Sequence, residues 1–239
     1  MHLIRKKPPV FFIENSDDFP DQTNYDFDDL ICVGGDLSPD RLVAAYTNGI
    51  FPWFIEDGFP YWFSPKIRMI LEEFRLSKSQ AKTIRNSGFR VEVDRDFLGV
   101  MNGCATPRKT EKTSWITDEY FTGYCALHKV GVAHSVETYL EDQLVGGLYG
   151  VAIGRAFFGE SMFALERDSS KVALHALSKM GFDFIDCQVP SAHLASLGGY
   201  EISRNQFLAK LRNALNKTHA TISFDRMDYI SSNTKRGGS

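Results

Sequence analysis

Four cysteines, Cys32, Cys104, Cys125 and Cys187, are scattered along 239 residues with no CxxC pair and no histidine at zinc-site spacing. That pattern suggests neither a metal site nor a disulfide framework, and it implies reduced thiols. Long apolar runs are missing too. The leading stretch "MHLIRKKPPVFFIEN" carries basic residues but no apolar segment of signal-peptide length, and no later run approaches bilayer-spanning length. These absences predict a cytoplasmic protein without a membrane anchor. An excess of one charge is lacking as well: the formal net charge is -3, with a pI of about 6.1. The field of the whole molecule therefore does not advertise a nucleic-acid binder, although a local basic patch is compatible with it. The glycines of "VGGD" and "LVGGLYG" form neither a P-loop nor a dinucleotide fingerprint, so turns and close packing explain them better. There are no internal repeats, and the one low-complexity stretch, "SSNTKRGGS" at 231–239, reads as a disordered tail.

What is present fits one large domain or two small ones. Aromatic residues make up 13% of the chain, enough for some rings to line a pocket. Residues 8–29 are rich in Pro, Asp and Asn and read as an irregular acidic segment. In "GGDLSPDRLVAAYTNGIFPWF", Ser38 caps and Pro39 opens a short helix that stops at Asn48-Gly49. "YWFSPKIRMILEEF", 61–74, reads as a strand, and the junction between a small N-terminal domain, 1–72, and a larger one, 73–230, is expected near residue 72. A helix capped by Ser77 and ended by Gly88, a strand in "FRVEVDRDF" and a helix in "WITDEYFTGYCALHKVG" follow. Turns at Glu141-Asp142 and Gly154-Arg155 divide 132–163 into three strands of an antiparallel meander. A helix in "RDSSKVALHALSKMGF", capped by Asp168 or Ser169, and a strand over 184–189 complete a mixed α/β (α+β) sheet, largely antiparallel, that resembles the acyltransferase fold of the GNAT superfamily.

The last strand holds the polar pair in "FIDCQ". Alternation along a strand sends Asp186 and Gln188 to one face and Ile185 and Cys187 to the other. Taken alone, a strand end whose polar groups are satisfied locally is the commoner explanation. Glu160 in "FFGESMF" likewise reads alone as a solvated carboxylate at the end of the third meander strand. His134 lies in an apolar alternating strand and reads as a structural histidine; His193 follows the Asp/Gln strand closely, and neither enters the core assignment.

The series "VGGDLSPDRLVAAYTNGIFPWF", "NGCATPR", "TSWIT", "HSVETY", "LVGGLYGVAIGRAFFGESMF", "SSKVAL", "IDCQ" and "HLASLGGYEISRNQFL" changes that balance. In order and near spacing it resembles the bacterial leucyl/phenylalanyl-tRNA-protein transferase family over about residues 30–211. The resemblance implies transfer of Leu or Phe, sometimes Met, from aminoacyl-tRNA to proteins beginning with Arg or Lys, giving a degradation signal. It implies Asp186, Gln188 and Glu160 as catalytic or acceptor-binding residues, with the Gln188 amide bound to Asp186 and its carbonyl accepting from the attacking amine. An apolar slot for the donor side chain would comprise Trp53, Leu148, Phe157, Leu174 and Ile185. Tyr46, Trp115 and Tyr124 would stack on the terminal adenosine. For the tRNA backbone the basic residues Arg75, Lys78, Lys82, Arg85 and Arg90 are candidates, with Arg108, Lys109 and Lys112 in a nearby loop; Lys78, Lys82 and Arg85 are spaced to share one helix face. No cofactor or metal is implied, and the family suggests a monomer.

Chemistry agrees with that list. The donor ester is already activated, and an α-amine with a pKa near 8 is partly neutral at cytoplasmic pH. Such a reaction asks for positioning, a proton acceptor and oxyanion stabilisation more than for a covalent nucleophile. Two other readings stay open at this point. An acyl-CoA N-acyltransferase would carry a glycine-containing pyrophosphate loop where this chain has "ALERDSSKVAL", and a binding module for RNA or N-terminal peptides would leave Asp186, Gln188 and Glu160 without a shared purpose.

Overall fold

Residues 10–22, 28–106, 117–217, 224 and 229–230 are described by the computed structural model of the chain. A four-stranded sheet comes first. Strands β1 (Phe11–Ile13) and β2 (Leu30–Gly34) pair in parallel; after helix α1 (Pro39–Thr47), β3 (Phe51–Glu56) and β4 (Phe59–Phe63) form a hairpin, giving the order β1-β2-β4-β3. The side chain of Ser38 accepts from the backbone N–H of Arg41 and Pro39 opens α1, as its sequence predicts. Gly49 ends this segment at φ +71°, and a Cβ there would lie 2.7 Å from a Leu208 methyl, so the turn needs glycine.

The stretch 61–74 is two strands rather than the one expected. β5 (Ile67–Leu71) leaves the small sheet and pairs antiparallel in the larger one, although it precedes the junction expected near 72. Pro65, which has no N–H to donate to a ladder, sits in the break between β4 and β5.

Beyond β5 run α2 (Lys78–Asn86), β6 (Phe89–Val93), α3 (Phe97–Ala105), α4 (Asp118–Lys129), β7 (Ala133–Leu140), β8 (Gln143–Ile153), β9 (Ala156–Ala164), α5 (Ser169–Ser178), β10 (Phe184–Asp186), α6 (Ala192–Ser196), β11 (Tyr200–Ser203), α7 (Arg204–Leu215) and β12 (Tyr229–Ile230). The larger sheet has the order β11-β5-β10-β9-β8-β7-β6-β12 among the described residues. Strands β7, β8 and β9 form the expected antiparallel meander, with turns at Glu141-Asp142 and Gly154-Arg155. The Ser77–Gln80 capping box starts α2. Asp168 precedes α5 in a left-handed conformation, φ 67°, but its carboxylate binds Lys171 at 2.5 Å instead of capping the helix.

Strand alternation divides the core between the two faces of the larger sheet. Ile70, Tyr149, Phe158 and Phe184 turn toward α1, α4, α7 and the small sheet. Their neighbours Leu71, Leu148, Phe157 and Ile185 turn toward α5. Helix α5 carries the chain from β9 to β10, which pair in parallel only from Phe184↔Ala156 to Asp186↔Phe158. There β10 ends while β9 continues to Ala164. The resulting gap at the carboxyl ends of two parallel strands is where an α/β sheet can receive a ligand.

The acidic segment expected at 8–29 falls partly outside the described residues, as does the tail at 231–239.

Candidate active site

A cavity of about 540 Å³ occupies that gap. One end is apolar. Leu148 from β8, Phe157 from β9, Leu174 and Leu177 from α5 and Ile185 from β10 line it, with Met162 and Leu194 nearby. The floor depends on Gly150: a Cβ there would meet the Phe158 carbonyl oxygen at 2.1 Å and the Phe157 ring at 2.5 Å. Across the opening, Phe51, Pro52, Trp53 and Phe54 of β3 supply a wall from the other sheet, and Trp53 is 40% exposed. All five residues expected to form an apolar slot therefore line one cavity.

The other end is polar and rests on backbone irregularities. Strand β9 shifts register where Tyr149↔Ser161 is followed by Gly150↔Gly159, which leaves Glu160 as the extra residue of a β-bulge. It sits mid-strand, not at the strand end that the sequence suggested. The bulge aims its carboxylate into a cage of hydroxyls: Tyr46 donates to Oε1 at 2.7 Å, and Tyr124 and Tyr120 donate to Oε2 at 3.0 and 3.4 Å. Gln188 Nε2 donates to Oε1 at 2.7 Å. Burial drives the Glu160 carboxyl up to about 7, against the opposing pull of the tyrosine hydrogen bonds. Burial, with the nearby Glu160 charge, also raises the three phenols well above their ordinary range, so they serve as neutral donors.

Asp186 and Gln188 both line the cavity, but not by the alternation expected: Ile185 and Cys187 line it too, the strand stops at Asp186 and Gln188 stands at φ 63°. The side-chain pairing expected between them is replaced by two other bonds. Gln188 gives its backbone N–H to Asp186 Oδ1 at 2.9 Å and its side-chain amide to Glu160. The Asp186 carboxylate, 0% exposed, is gripped by Arg68, with Nε on Oδ1 at 2.8 Å and a terminal nitrogen on Oδ2 at 2.5 Å. Arg68 escaped the sequence reading. A single arginine in the apolar run "KIRMIL" was the available signal, since a buried charge demands a partner.

Tyr46 and Tyr124 take a role different from the stacking expected of them. Both are 0% exposed, so neither presents a ring face to a base; their hydroxyls bond to each other and to Glu160. Tyr120, four residues before Tyr124 on α4, completes the cage and was likewise missed. Trp115, Arg108, Lys109 and Lys112 lie outside the described residues. Lys78, Lys82 and Arg85 are exposed on α2, and Arg75 is exposed with Glu73 at 3.6 Å. Arg90 departs from this group: it is drawn into ion pairs with Glu92 and Asp142 and lies over the Tyr139 ring. His134 is structural, bonded to Asp94 at 2.6 Å and stacked on Phe224, and His193 does not line the cavity. Cys187 does, but burial pushes its thiol up, away from the reactive thiolate.

Among the described residues no group of three or more His, Cys, Asp and Glu side chains could hold a metal, and no helix is long and apolar enough to cross a membrane.

The family model described as leucyl/phenylalanyl-tRNA protein transferase matches residues 68–212, and the model for the N-terminal domain of the same family matches 35–66. A leucyl/phenylalanyl-tRNA–protein transferase of Thermodesulfovibrio yellowstonii is 46% identical over 224 residues, 91% of this chain and 92% of that protein. Those of Nitrosomonas europaea and Dechloromonas aromatica are 50% and 52% identical over 193 residues each, 78% of this chain and 81% and 82% of theirs. The chain belongs to the leucyl/phenylalanyl-tRNA–protein transferase family of aminoacyltransferases.

Proposed function

We propose that this enzyme moves Leu or Phe, and Met as a further donor residue, from aminoacyl-tRNA to the α-amine of proteins beginning with Arg or Lys. The new N-terminal residue is a degradation signal. One observation carries the reading: a cavity with an apolar end that has room for a Leu or Phe side chain closes, at its other end, on a carboxylate and an amide that can receive an amine.

In this reading Leu148, Phe157, Leu174 and Ile185 hold the donor side chain. The acceptor nitrogen attacks the ester carbonyl, the C–N bond forms, and the C–O bond to the ribose breaks. Gln188 is too weak a base to take the proton. Its amide nitrogen is committed to Glu160, while its carbonyl oxygen has no hydrogen-bond partner among the described residues and is left to accept from the incoming N–H. Glu160, poised near 7, takes the amine proton and returns it to the leaving ribose oxygen. The anion also attracts an acceptor that is cationic at both its α-amine and its first side chain. Trp53, the accessible ring at the cavity mouth, stacks on the terminal adenosine, with Trp115 as the further ring that the family resemblance offers. Arg75, Lys78, Lys82 and Arg85 meet the tRNA backbone. The enzyme works in the cytoplasm as a monomer.

The deciding experiment follows labelled Phe from Phe-tRNA to two peptides differing only in an N-terminal Arg or Ala, with acetyl-CoA as a control donor. Label on the Arg peptide alone is the expected result. Acetylation, or tRNA binding without transfer, would overturn it.

A further inference from the structure

Asp186 touches the cavity, but what holds it reaches away from the cavity into the core. Arg68 on β5 is 1% exposed and binds both Asp186 oxygens. Its guanidinium lies between two rings, 4.8 Å from the Phe51 centroid and 4.3 Å from that of Phe207, and donates to the Gly49 carbonyl at 3.2 Å. A fork clamped on two faces and along its edge has one available orientation.

That orientation passes to the reacting end. Asp186 Oδ1, fixed by Arg68, accepts the Gln188 backbone N–H, and β5 completes the turn: Cys187 N donates to the Met69 carbonyl at 2.9 Å, and Met69 N donates to the Gln188 carbonyl at 3.3 Å. These bonds hold Gln188 at φ 63°, a left-handed backbone that a side chain such as glutamine rarely adopts unaided. From there its amide reaches Glu160.

We infer that Arg68 is a positioning residue: through Asp186 it sets the left-handed turn at Gln188, and so the alignment of the amide that meets the acceptor amine. The inference rests on the transfer reaction proposed above for its kinetic readout. It assigns Asp186, ion-paired with the buried Arg68, to holding the turn, and leaves proton acceptance to Glu160, whose partners are neutral hydroxyls and an amide. Lysine at position 68 would keep a charge but lose the fork that spans both oxygens.

The test uses the full chain carrying Arg68→Lys, Gln188→Ala, or both. Arg68→Lys should lower the single-turnover rate of Phe transfer about 10- to 100-fold, the scale of a misplacement near 1 Å, with Phe-tRNA affinity within about twofold of wild type. In the Gln188→Ala background the same change should cost less than about threefold, because its effect runs through that side chain. Independently of turnover, the Gln188 side-chain amide resonance, identified by its loss in Gln188→Ala, should shift in Arg68→Lys. Losses that multiply in the double variant, a weakened tRNA affinity at unchanged rate, or an unmoved amide resonance would each overturn the inference. If Arg68→Lys does not fold, Phe207→Leu removes one ring from the clamp and keeps the arginine. It should show the same pattern at smaller size, and full activity with an unmoved resonance overturns the inference there too. A wild-type chain that transfers nothing refutes the proposed function instead, while the resonance still reports on Arg68.

Discussion

The two ends of the cavity are made by opposite means. Its apolar end is regular structure: Leu148, Phe157 and Ile185 lie on neighbouring strands, face the same side by simple alternation, and are covered by α5. Its polar end is a sequence of exceptions, a bulge at Glu160, a strand that stops at Asp186 and a left-handed Gln188. Regular ladders suit an apolar wall because each side chain satisfies itself by packing. A carboxylate and an amide that must meet across a gap need their backbones bent toward each other, which the ladder forbids and a bulge permits.

The largest effect should come from breaking the polar end. Glu160→Gln keeps the shape and removes the proton acceptor, so the transfer rate should fall about 10²- to 10⁴-fold. The wild-type rate should rise with pH through about 7 as Glu160 ionises, and the variant should keep only the later rise near 8 that belongs to the acceptor amine. A pH–rate profile under single-turnover conditions checks both.

Next in size is a control for burial without catalysis. Glu137 is also buried and driven up to about 7 by desolvation, with Ser135 donating to Oε1 at 2.5 Å and Oε2 without a hydrogen-bond partner among the described residues, yet it does not line the cavity. A pKa raised from 4.5 to about 7 on folding means that the unfolded chain loses this proton first as pH rises. Stability from this group is whole below about 4.5 and declines as pH climbs through about 7, by about 3 kcal/mol in all. Glu137→Gln should flatten denaturation midpoints across that window and leave the shape of the pH–rate profile unchanged.

At the apolar end, Leu174→Phe fills part of the slot. It should reduce the use of Phe relative to Leu as donor by about 10- to 100-fold, or about 1–3 kcal/mol of discrimination, measured by competition between the two charged tRNAs. Smallest is the basic face of α2: Lys82→Ala should weaken tRNA binding modestly and lower the slope of log affinity against log salt by about one unit or less.

Legibility in the sequence followed the same division. The meander, the Ser38-Pro39 helix start and the Ser77 cap were readable because period, turn residues and caps are local signals. The five slot residues and the three polar residues came from family resemblance, and the structure brings all eight to one cavity. What could not be read was long-range. Arg68 and Asp186 are 118 positions apart, and Tyr46 and Glu160 are 114 apart. Nothing at either position in the sequence encodes the distance between them. The bulge was equally hidden, because residue 160 continues an unbroken β-like run and the extra residue shows only against the register of β8.

Phe51 belongs to the small sheet, yet it lines the cavity and covers the Arg68 guanidinium that serves the larger one. Neither sheet can therefore melt without opening the cavity. A donor bound inside it acts as a cross-link: heating should unfold both sheets in one transition, and a non-reactive aminoacyl-nucleoside should raise that transition for the whole chain.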